Sequence, residues 1–317
     1  MLTVVLGAMA LAADDPSVEP DALGESPVET PVAEPVDAPL LGRPYSPTAP
    51  GQVTVDSPYW DLEVLYEQER HLEGEQLARR RYHETKDPHL TLHIARFAYQ
   101  RLEGDTTLTR KEREAVYVEA LSVLDEGIAA DPDDTHLRFA RGVVLARLGT
   151  TRGVLSSLRL ATDVESAWLA TIESDYRYRS IGTQEQLPCD AYLALGIFYR
   201  LVPDMWLVKA IAGTKGDLRK SLELQTKGAA CAPTTIRNLK ELGVTQLCIG
   251  TSEKDDAMIA KGKATIERYL TLEPTMEAER VDLRHGRLLL ADPDMACGYS
   301  RDGQQDLDES KLEKQGG

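Results

Sequence analysis

From residue 60 onward, apolar side chains recur three or four positions apart, the spacing of one buried helical face. Leu90, Ile94, Phe97, Ala98 and Leu102 form the first clear stripe. Asp87-Pro88 opens it with a capping residue and a proline suited to a first helical turn, and Gly104 closes it. Residues 60–86 ahead of it are polar almost all round, with Val64, Leu65, Leu72 and Leu77 as a thin apolar stripe. That pattern predicts one helix capping the end of a helical array. Ala120, Leu124 and Gly127 mark a further helix that Pro132 ends. Gly142, Leu145 and Gly149, then Leu158 and Ala161, mark the next two, with Asp134 or Thr135 as a cap. A last helix over roughly Met276–Leu290 precedes Asp292-Pro293. The pattern predicts an all-α fold in which small residues let antiparallel helices approach and prolines stop them.

The punctuation is periodic. Pro132 to Gly142 and Pro233 to Gly243 are both ten residues, as a helix–turn–helix module of about 34 residues requires between units. Counted from Thr135, Gly142, Leu145, Gly149, Leu158 and Ala161 take the eighth, eleventh, fifteenth, twenty-fourth and twenty-seventh places. A unit opening at Cys189 puts Gly196 eighth and Tyr199 eleventh, and Gly243 restarts the register. Gly196 to Gly228 is 32 residues where the module needs 19, which assigns 13 extra residues to Leu201–Gly216, between paired helices.

On these residues, the Gly142–Ala161 and Pro233–Gly243 segments resemble tetratricopeptide repeats. The resemblance covers about 90–290 and implies a TPR-like α-solenoid of about four helical hairpins. Ala191–Pro233, with Leu195-Gly196, Tyr199, Pro203, an insertion and Gly216-Asp217, is similar to the periplasmic helical-repeat component associated with tripartite ATP-independent (TRAP) transporters. That similarity implies a non-enzymatic periplasmic protein that partners a substrate-binding protein and passes on a hydrophobic ligand. The repeat register also bears on the cysteines. Cys189, Cys231, Cys248 and Cys297 show no C-x-x-C spacing, which argues against structural zinc. Export permits two disulfides, and the repeat geometry favours Cys189–Cys231 and Cys248–Cys297. Buried free thiols are the alternative.

Composition sharpens the organisation. Only three Phe occur among many Leu and Ala, a balance that suits helices. The 317-residue chain has a formal net charge of −16, and residues 14–58 supply half of it, with nine carboxylates against Arg43 alone. Such a chain repels phosphate backbones, which argues against nucleic-acid partners. Residues 14–58 also hold ten of the 17 prolines and are expected to be a disordered acidic linker. Residues 1–13 read as a signal peptide without a basic first region: Leu2–Ala13 is apolar, too short to span a bilayer, and offers A-x-A cleavage patterns. The expected order is therefore leader 1–13, linker 14–58, helical-repeat domain 59–300 and flexible tail 301–317, with a periplasmic or secreted destination and no transmembrane segment in the mature chain.

Candidate chemistry is sparse. His89 and His93 share a helix face with His83 nearby, but no third ligand is evident, and they are expected to be surface or partly buried histidines. Gly213-Thr214-Lys215-Gly216 lacks the phosphate-loop spacing. No nucleophile or metalloprotease motif occurs, so neither enzyme activity nor a cofactor or metal is expected. The insertion carries the best binding candidates: Trp206, Lys209, Lys215 and Arg219 as an anchor or groove wall, or else an apolar plug over the solenoid. Tyr176, Arg177, Tyr178 and Arg179 form a second aromatic–basic cluster, or a solvated helix end. The expected function is a protein-interaction scaffold of the bacterial envelope, with a protein partner. The alternative is a carrier of a small hydrophobic or carboxylate ligand working with a transporter. A roomy cavity lined by Leu and Met favours the carrier, and a shallow polar groove the scaffold.

Overall fold

The computed structural model describes residues 53–104, 107–152, 154–181 and 185–300. The expected leader, the expected linker as far as residue 52 and the expected 301–317 tail lie outside the described residues. From Val53 the chain is already packed: Val53 is buried and its N–H donates to the Arg179 carbonyl at 3.0 Å. Among the described residues the fold is almost wholly helical, as the periodicity requires.

The first two helices are α1 (Trp60–Glu67) and α2 (His71–Thr85). Sequence periodicity predicts one helix here, but Glu69 adopts a left-handed backbone (φ 56°) and breaks it. Arg70 braces the turn by donating to Gln68 and Glu73. Then come α3 (Leu90–Gly104), α4 (Arg110–Ala130), α5 (Thr135–Arg152) and α6 (Val154–Glu173). A two-stranded ribbon follows, β1 (Tyr178–Arg179) antiparallel to β2 (Glu185–Leu187). The remainder is α7 (Cys189–Leu201), α8 (Trp206–Ala212), α9 (Leu218–Cys231), α10 (Ile236–Glu253), α11 (Asp256–Leu270), α12 (Glu277–Ala291) and a 3-10 turn, Pro293–Ala296.

Local chemistry sets the helix starts. Thr109 and Glu112 form a reciprocal capping box at α4. The side chains of Asp134, Asp217 and Asp255 accept the first free N–H groups of α5, α9 and α11. Successive helices then pair: α3 with α4, α5 with α6, α7 with α9 and α10 with α11. Glycines allow the tightest approach. A Cβ on Gly250 of α10 would lie 2.7 Å from the backbone nitrogen of Ile259 in α11. The apolar cores run from the Phe97 cluster at the first helices to the Tyr269 cluster at the last.

Two disulfides fasten this arrangement, Cys189–Cys231 across the α7/α9 pair and Cys248–Cys297 from α10 to the segment after α12. These are the two pairs that the repeat geometry favours. The last helix also meets the first ones. α12 touches α3, the Glu277 N–H donates to Glu69 at 2.8 Å, and Met276 packs against the cluster that holds Tyr59 and Leu62.

Candidate ligand cavity

A cavity of about 680 Å³ lies among α3, α5, α6, α7 and α10. Its wall comes mainly from the leading helix of each pair, while α4, α9 and α11 supply none of the lining residues. Most of the lining is apolar, with Leu92, Val143, Leu158, Leu193, Ile197 and Phe198 contributed by four different helices. The second residues of α5, α7 and α10, namely His136, Asp190 and Arg237, all reach this wall. Equivalent positions on successive leading helices thus supply a polar row within an apolar enclosure, a composition typical of small-molecule sites.

Seven charged side chains line the cavity: Arg96, Arg147, Arg200, Arg237 and Lys240 against Asp190 and Glu241. Five are spoken for. Arg96 donates to Glu63 at 2.6 Å and lies over the Tyr66 ring. Arg147 donates to the Tyr99 hydroxyl at 2.8 Å. Arg200 binds Glu241 and the carbonyls of Ala296 and Tyr299. Lys240, fully buried, bridges Glu241 and Asp282 at 3.0 and 2.7 Å. Asp190 and Arg237 differ: among the described residues neither has a hydrogen-bond or ion-pair partner. They nonetheless feel each other. Burial raises the Asp190 carboxyl and Arg237 opposes that rise; desolvation works against the Arg237 charge in turn, and Tyr99, Asp282 and then Asp190 outweigh it.

A rigid polar cluster stands behind one wall. Glu63 is fully buried and accepts from Arg96, from the Tyr178 hydroxyl at 2.7 Å and from Ser180. Burial alone would raise its pKa, but Arg96 and His93 outweigh that and bring it to about 2. His93 is pushed down to about 3 by burial. His89 holds Asp134 through Nδ1 at 3.0 Å, and the same Asp134 caps α5. His136 meets the Tyr176 hydroxyl at 3.3 Å, and burial keeps it well below the usual histidine range. This cluster contains two expectations that the structure corrects. His89 and His93 are 0% and 1% exposed, because Tyr59 and Tyr178 close over them. Tyr176 and Tyr178 are both fully buried, because the chain leaves α6 and turns inward as a ribbon, so this stretch is no solvated helix end. Arg177 is tied to the carbonyls of Ser174 and Tyr176.

The insertion residues lie elsewhere. The extra residues form α8, whose Val208 and Ala212 are buried against Ala161, Leu158 and Phe198. Its outer side exposes Trp206 by 80% and Met205 by 54%. Lys209 is exposed, Lys215 pairs with Asp204 and Arg219 with Glu253. None of Trp206, Lys209, Lys215, Arg219, Tyr176 or Arg177 lines the cavity, although Leu201, Val202 and Pro203 just ahead of α8 do. Sequence reading passed over Asp190 and Arg237. The signal for Asp190 is that it and Arg200 are the only charges on the otherwise apolar α7.

No protein-family model matches the chain, and a search of curated proteins finds no match.

Proposed function

We propose that this chain is a non-enzymatic helical-repeat carrier of a small, largely apolar ligand, working outside the cytoplasm. The observation that carries this reading is the 680 Å³ cavity with its apolar wall, which favours the carrier over the scaffold. In this reading the four helix pairs are TPR-like hairpins stacked into a curved solenoid. Leading helices then face its hollow side, in keeping with the origin of the lining residues. Two disulfides, and the lack of any helix among the described residues long and apolar enough to cross a membrane, agree with a soluble extracytoplasmic protein. Arg237, a wall cation without an ion-pair partner among the described residues, suits a ligand that bears a carboxylate. A partner in the envelope delivers or receives the ligand, and the exposed Met205 and Trp206 offer it an apolar docking point. Native mass spectrometry of the protein taken from its own envelope tests this. A small molecule retained by the monomer is expected. A stoichiometric protein partner with no small molecule would return the scaffold reading.

A further inference from the structure

The cavity presents one cation and one carboxylate that the protein leaves unmatched. Asp190 and Arg237 are the second residues of α7 and α10, helices that touch each other. The two feel each other's charge without forming an ion pair, so the guanidinium nitrogens and the carboxyl oxygens stand more than 4.0 Å apart. The other charged groups on the wall already have protein partners, as described above. Both side chains are partly exposed to the cavity, so a ligand that fills it would strip water from an unpaired guanidinium and an unpaired carboxyl, which is costly. A bound group that accepts from the first and donates to the second removes both penalties at once.

We infer that Asp190 and Arg237 together recognise the two opposite charges of a small zwitterion, an apolar α-amino acid being the simplest class. Its carboxylate takes two N–H groups of the Arg237 guanidinium, which is planar and suited to a bidentate grip. Its ammonium donates to the Asp190 carboxylate. Its side chain lies against the apolar wall made by residues such as Val143, Ile197 and Phe198. A plain fatty acid would satisfy Arg237 but bring a second negative charge towards Asp190, and a plain amine would do the converse to Arg237. The pair therefore selects against ligands with one charge. This inference rests on the carrier reading and specifies what is carried.

Calorimetric titration of the full chain with L-tryptophan, indole-3-propanoate and tryptamine separates the possibilities, because the last two each lack one charged group. L-tryptophan is expected to bind roughly 10- to 100-fold more tightly than either, the worth of one charge-assisted hydrogen-bonded pair. Arg237→Gln should erase the advantage over tryptamine, and Asp190→Asn the advantage over indole-3-propanoate. Circular dichroism confirms that both variants remain helical, and Arg237→Lys should retain part of the affinity if the fold is intact. Equal binding of indole-3-propanoate and L-tryptophan, or unchanged tryptophan binding by Asp190→Asn, overturns the zwitterion while leaving a carrier of apolar anions. No binding of any of the three overturns it too, and the mass-spectrometric result then decides the carrier reading by itself.

Discussion

Glu63 and His93 show how far a buried group's surroundings govern behaviour in acid. The folded Glu63 titrates at about 2, below its usual 4.5, so its contribution is complete above pH 4.5 and is lost as pH falls towards 2. His93 stays neutral in the fold down to about 3, whereas in the unfolded chain it takes up a proton near 6.5. Its effect therefore weakens the fold as pH drops from 6.5 to 3. Both act in the same direction, and Glu63 alone is worth on the order of 3 kcal/mol. Urea midpoints measured at pH 7, 5 and 3.5 should fall steadily, and His93→Gln should flatten the upper part of that slope. Gly250 offers a simpler test. Its Cβ would press on a backbone atom that cannot rotate away, so Gly250→Ala should cost about 1–3 kcal/mol in the same assay.

Helices and their pairing were legible in the sequence because glycine, proline and apolar spacing are local signals. Gly142, Gly196 and Gly243 sit where close helix contacts need them, and the final helix differs from its expected span by one residue at each end. The break at Glu69 was not legible, since no glycine or proline marks it. Neither was the ribbon: Tyr176 and Tyr178 are buried by residues far away in sequence, His136 and Glu63 among them. Asp190 and Arg237 look like ordinary helix-start residues until the helices are placed side by side. Covalent fastening also belongs to the helix pairs. The Cys189–Cys231 bond closes 42 residues and Cys248–Cys297 closes 49, so Cys231→Ser is expected to remove roughly 2–4 kcal/mol, seen as a lower thermal midpoint. On α8, Trp206→Ala should change stability by no more than about 0.5 kcal/mol and leave ligand affinity intact, because the ring is 80% exposed and does not line the cavity. A larger effect on affinity would place the indole at the entry route.

In a stack where each unit meets only its neighbours, melting starts at a free end and spreads inward. This chain departs from that rule. Glu69 receives the N–H of Glu277, 208 positions further on, and Met276 is seated beside Tyr59 and Leu62. Loosening either end of the described helices therefore withdraws support from the other, which should make the opening of both a single event. Hydrogen exchange can read this directly: Met276→Asp should speed exchange in α2 and α3 as well as in α12. Protection lost in α12 alone would show that the two ends open independently. With the first and last described helices latched, a protease would have to open both before it could trim either.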